Sequence, residues 1–200
     1  MPAPETLRAF VAIELTEEAR QYLALLTDGL RHEVTHGIRW VDHHGVHLTL
    51  KFLGDLPVDR LDAVIAAMEE AAEGVPPFSL SIHSLGAFPS LAAPRVLWAG
   101  VQGDLAPLLK LQTGLEDSLT ARGFPKESRP FAPHITLARV RGKLSPTDIQ
   151  RLAAAVESAR AQPKRELPVH LLSLMESTLT AHGALYTRRG QISLQPTLAQ

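Results

Sequence analysis

The chain writes one four-residue pattern twice, HLTL at 47–50 and HITL at 134–137. Each copy opens a run of alternating polar and apolar residues, the period of a strand with one buried face. Each is followed within a few residues by a helical segment and then by strands. Such an echo fits a duplicated half-domain whose two copies face each other. A fold built on that duplication would place the two histidine strands in equivalent positions, the alternative being a chance match of four residues.

Alternation sets what each strand presents. His47, Thr49 and Lys51 fall on one face and Leu48, Leu50 and Phe52 on the other, while His134 and Thr136 oppose Ile135 and Leu137. With the halves related by a pseudo-twofold, the two His/Thr pairs would line opposite walls of one cleft. A lone strand histidine is most often structural or superficial; two matched pairs point to function. Imidazoles, with an ordinary pKa of about 6.5, can divide the work of taking and giving a proton. That division suits in-line displacement at phosphorus, where the attacking oxygen loses a proton and the departing oxygen gains one. Thr49 and Thr136 would donate to the non-bridging oxygens as their charge builds. This scheme requires no metal.

Composition removes other chemistries. There is no cysteine, so disulfides, thiolate nucleophiles and cysteine-ligated zinc are excluded. A formal net charge of −1 argues against broad, sequence-independent nucleic-acid binding, so any polyanion has to be met locally. His43 and His47 are spaced i, i+4, but Gly45 and the strand that follows make a helical zinc site unexpected. His32 and His36 share that spacing and are assigned to the surface, so the expected metal and cofactor set is none. The start shows no signal-peptide pattern and no segment approaches a membrane span, so a cytoplasmic protein is expected, without membrane partners and as a monomer.

The element order reads strand, helix, strand, helix, strands, then helix, strand, helix, strands, which is α+β with mostly antiparallel sheets. Thr16 is the expected N-cap of the first helix and Ser145, ahead of Pro146, that of the last. The histidine strand at 47 is expected to stop at Gly54, and Gly74 and Gly123 to end helices. ELPVHLLSLMES reads as one strand, with ALYTRRG and QISLQP as two more.

Over RAFVAIEL, WVDHHGVHLTLKFLGDL, FSLSIHSLGAFPSLAAPRVLWAGV, FAPHITLARV and SLMESTLTAHGALYTRRG, nearly the whole chain resembles the two-histidine phosphoesterase superfamily. Within it the match is to the bacterial RNA 2′,3′-cyclic phosphodiesterases, also called 2′-5′ RNA ligases. The resemblance implies one bilobal domain over 1–200, built of duplicated half-domains whose antiparallel sheets line a central cleft, with helices on the outside. It implies His47 and His134 as catalytic, Thr49 and Thr136 beside them, and Arg139 as a phosphate contact. His134 would activate water and His47 would protonate the departing ribose O3′, leaving a 2′-phosphate end; reverse 2′-5′ ligation without ATP is implied as well. The alternatives are a small cyclic nucleotide or a 2′-5′ oligonucleotide as substrate, or a non-catalytic RNA-binding module. Strict alternation puts Arg139 opposite His134, so it reaches the cleft only if the strand bulges or ends near Ala138. Phe10 and Phe131 are assigned to the core, with base stacking as their alternative, and Trp98 and Arg95 are assigned structural roles.

Overall fold

The computed structural model describes residues 5–159, 162–180 and 183–195. Its elements are β1 (Thr6–Glu14), α1 (Glu17–Glu33), β2 (Ile38–Trp40), a 3₁₀ turn (His43–Gly45), β3 (His47–Pro57) and α2 (Leu61–Ala72). They continue with β4 (Phe78–Phe88), β5 (Val96–Gly103), α3 (Leu105–Ala121), β6 (His134–Val140), α4 (Pro146–Ala159), β7 (Arg165–Val169), β8 (Leu171–Leu179) and β9 (Ala184–Ser193).

Local signals set many of these boundaries. Thr16 Oγ1 accepts from the Ala19 N–H at 3.2 Å and so caps α1. Ser145 and Asp148 close a reciprocal capping box on α4: Ser145 Oγ accepts from the Asp148 N–H at 3.1 Å, and Asp148 Oδ2 from the Ser145 N–H at 3.2 Å. Gly74 and Gly123 lie just past α2 and α3 with φ of +63° and +80°, a region open to glycine without strain. The helix expected over SPTDIQRLAAAVESAR ends on Arg160 and the strand QISLQP on Pro196, and both end residues lie outside the described residues.

The strands form one antiparallel sheet in the order β7-β4-β5-β6-β3-β1-β8-β9, with β2 attached to β6. Four strands stand on each side of the centre, so the two expected sheets meet edge to edge as one curled surface. The joint between β3 and β6 is a single residue pair, Leu48 opposite Ile135. Leu23, Met68, Leu108 and Leu152 from the four helices join Val11, Leu48, Leu80, Ile135 and Leu137 in one core, which lies on a single face of the sheet. The other face is open and carries a small cluster of Phe10, Ala12 and Met175 against Tyr186. Among the described residues no helix is long and apolar enough to cross a membrane.

Several strand expectations need correction. β3 does not stop at Gly54 but runs on to Pro57, with Gly54 at φ +70° where the pairing with β1 slips by one residue. The expected strand over 166–177 is two strands parted at His170, and the last two expected strands are one, β9. β2, only three residues long, has no counterpart among the expected strands.

Candidate active site

β3 and β6 bring the four residues of the two motifs onto the open face at the centre of the sheet. With Leu48 opposite Ile135 and both fully buried, one step along the antiparallel pair sets His47 beside Thr136 and Thr49 beside His134. Directly opposite positions have Cβ atoms about 5 Å apart and diagonal ones about 7–8 Å. The two imidazoles therefore face each other on a diagonal, with a hydroxyl beside each. They sit on adjacent strands of one sheet rather than on opposed walls.

Both rings are held in the same way. His47 Nδ1–H donates to the Gly45 carbonyl at 2.8 Å, and His134 Nδ1–H to the Ala132 carbonyl at 2.7 Å. In each neutral ring this leaves Nε2 as the proton acceptor. Phe10 stacks on His47 at 4.5 Å and Tyr186 meets it edge-on at 5.1 Å, whereas His134 has the edge of Phe88 at 5.0 Å. Burial in this aromatic pocket pushes the His47 pKa below its usual value, against smaller upward pulls from the Gly45 carbonyl and Glu14.

Matching bulges decide what lies next to the motifs. The β1–β3 register skips Leu50 and the β5–β6 register skips Leu137. Beyond each bulge the faces exchange. Lys51, expected on the catalytic face, is instead buried: its Nζ donates to Glu116 Oε1 at 2.6 Å and to the Pro125 carbonyl at 2.7 Å. Phe52, expected on the apolar face, turns to the open side, where it is 61% exposed and 6.2 Å from the Phe10 ring. On β6 the same step buries Ala138 and swings Arg139 to the His134 side, in register with Val96. Phe52 and Arg139 thus hold equivalent places in the two halves. Strict alternation hides Phe52 from any reading of the sequence alone.

Phe131 packs on the core as expected, but Phe10 does not: it is buried on the open face, against His47 and in the small cluster with Ala12 and Met175. Trp98 lies against Phe88 at 5.2 Å, and the Arg95 backbone bonds to Phe88 and Val140. Asp42, His43 and His44 bring ligand atoms within 4.8 Å of one another, all exposed. The expectation that no carboxylate stands near these histidines is corrected by Asp42, their immediate neighbour in the chain, whose Oδ1 caps the turn by accepting from the His44 N–H at 2.8 Å.

Comparison with known proteins agrees with this architecture. The family model described as LigT like Phosphoesterase matches twice in succession, over residues 13–98 and 101–186, so each match contains one His-x-Thr motif. A Thermus thermophilus protein named RNA 2′,3′-cyclic phosphodiesterase is 33% identical over 193 residues, 94% of this chain and 91% of its own. One of the same name from Methanothermobacter thermautotrophicus is 31% identical over 90% of this chain and 95% of its own. Another, from Geobacillus stearothermophilus, is 37% identical over 130 residues, and the match spans only 41% of its length. Among solved structures, TT0787 of Thermus thermophilus superposes with a TM-score of 0.77 at 29% identity, covering 96% of this chain and all of that one. E. coli LigT complexed with 3′-AMP superposes with a TM-score of 0.75 at 24% identity, over 96% of this chain and all of its own, a likeness of fold.

Proposed function

The chain belongs to the LigT-like phosphoesterase family, and from that premise we propose that it is an RNA 2′,3′-cyclic phosphodiesterase working without a metal. The observation that carries the reading is the Leu48–Ile135 pair, which sets two imidazoles on a diagonal with a threonine hydroxyl beside each. A cyclic phosphate lying between them meets a proton acceptor on one side and a proton donor on the other.

His134 takes a proton from water as the water oxygen bonds to phosphorus. The P–O3′ bond breaks, and His47 gives its proton to O3′, leaving a 2′-phosphate. Thr49 and Thr136 donate to the non-bridging oxygens, and Arg139 contacts the phosphate. Anionic substrate beside His47 favours its protonated form and so offsets the effect of burial on this acid. With a 5′-hydroxyl in place of the water, the same displacement gives a 2′-5′ linkage and needs no ATP. Phe52 offers an exposed aromatic face for the terminal base.

The test is incubation of the purified protein with a short RNA ending in a 2′,3′-cyclic phosphate, in EDTA, followed by identification of the product end. A 2′-phosphate is expected. Unchanged RNA would defeat the reading, and activity only after a divalent ion is restored would defeat metal independence and turn attention to Asp42, His43 and His44.

A further inference from the structure

β2 places a second arginine directly opposite Arg139. Ile38, Arg39 and Trp40 pair with Val140, Arg139 and Ala138, and the flanking residues all pack on the core side, so Arg39 and Arg139 share the open face with His134 and Thr136. Like charges directly opposite on a sheet repel, and a carboxylate between them is the usual remedy. Here none is supplied. Arg8 adds a third guanidinium on the same face of β1, between the buried Leu7 and Ala9. Among the described residues, Arg8, Arg39 and Arg139 form no ion pair, whereas Arg188 on the same open face is held by both Glu14 oxygens at 2.8 and 2.9 Å.

Two of the guanidiniums, those of Arg139 and Arg8, lie near the Tyr186 hydroxyl. Burial raises the pKa of its hydroxyl, and Arg139 and Arg8 both act on that hydroxyl from nearby in the opposite direction. The Arg39 guanidinium reaches the β8–β9 turn, where a Cβ added to Gly183 would stand 4.0 Å from it. A cationic cluster with no ion pair among the described residues therefore borders the catalytic face, its facing carboxylate being Asp55, opposite Arg8 on β3. Arg139 lies three residues along β6 from Thr136. That is roughly 10 Å at the rise of a strand, within one nucleotide's reach once the arginine side chains are counted.

We infer that Arg39 and Arg8, flanking the Arg139 that contacts the cyclic phosphate, form a second anion subsite that binds the 5′-phosphoryl group of the terminal nucleotide, so that the enzyme acts on the end of an RNA chain in preference to a nucleoside cyclic phosphate. This rests on the phosphodiesterase reading and adds the substrate's second anchor. In an RNA chain that phosphoryl group is the phosphodiester to the preceding nucleotide; in a free nucleotide it is a 5′-phosphate monoester.

The experiment compares kcat/KM for adenosine 2′,3′-cyclic phosphate, its 5′-phosphorylated form, and a diadenylate ending in the cyclic phosphate. Wild type should favour both phosphorylated substrates by about tenfold, the worth of one charge-assisted contact. An advantage for the diadenylate alone would identify the diester as the group recognised. Arg39→Ala should remove the preference and leave the simple nucleoside substrate little changed, with Arg39→Lys retaining part of it. Arg8→Ala, on a different strand, should reduce the same preference and guards against a folding defect in β2. Equal rates on all three wild-type substrates, or an equal loss on all three in Arg39→Ala, would overturn the inference while leaving the phosphodiesterase reading intact. Wild-type turnover of none would overturn both.

Discussion

Leu48 and Ile135, the central residues of the two His-x-Thr motifs, are antiparallel partners and the single pair joining β3 to β6. The threonines owe their places beside the opposite histidines to this pairing. Replacing either Thr49 or Thr136 by Val keeps the shape and removes one donor to the phosphoryl oxygens, which should lower kcat by about 10²-fold. Serine at the same position should recover most of the rate. Steady-state kinetics on a cyclic-phosphate RNA checks this, and Val variants with unchanged kcat would remove the threonines from the mechanism.

The desolvated His47 makes the pH profile informative. As general acid it works only when protonated, and burial holds its pKa below the usual value of 6.5. The alkaline limb of kcat/KM, which reports the free enzyme, should therefore fall below pH 6.5. The limb in kcat should lie higher, because bound phosphate stabilises the imidazolium. A rate that instead rises below that pH and stays flat through neutrality would make His47 the base and reverse the two roles.

Lys51 and Glu116 form a buried pair whose side chains are 6% and 8% exposed. Glu116 Oε1 also accepts from the Glu127 N–H at 2.6 Å, so the pair ties β3 to the loop that leads into β6. Lys51→Met strands a buried carboxylate and should cost about 3 kcal/mol in urea unfolding. The double variant Lys51→Met, Glu116→Leu should recover part of that loss. A single-variant loss under about 1 kcal/mol would show that the carboxylate finds water instead.

The motifs, the caps and the duplication are legible because each is local: Thr16, Ser145 and Gly74 act within one turn, and alternation over three residues places His47 with Thr49. Of the two bulges, the one in β6 is foreshadowed by the need for Arg139 to reach the cleft, and the one in β3 is not legible. Leu50 and Leu137 are ordinary strand residues, and what fixes the slip at Leu50 is a tertiary partner, Glu116 waiting for Lys51 65 residues away. That slip turns Phe52 to the site, and its counterpart at Leu137 does the same for Arg139. β2 escapes detection because IRW is too short to show a period, and it gains its place only by pairing with β6. Nor does any pattern mark Gly45 and Ala132 as the carbonyls that orient the two imidazoles.

Phe52 stands where the other half has Arg139, and its ring, 61% exposed on the open face, is free for a base to stack on. A base on an aromatic face is worth about 1–3 kcal/mol. Phe52→Ala should therefore lower kcat/KM on a cyclic-phosphate RNA by about tenfold or more, chiefly through KM, while Phe52→Trp keeps it. Because the ring is already in water, thermal stability should barely change. The discriminating substrate is an RNA whose terminal sugar carries the cyclic phosphate but no base. If Phe52→Ala slows that substrate as much as the intact one, the ring supports the fold of β3 and Phe10 rather than the nucleotide; if the abasic substrate is indifferent to the substitution, the base rests on Phe52.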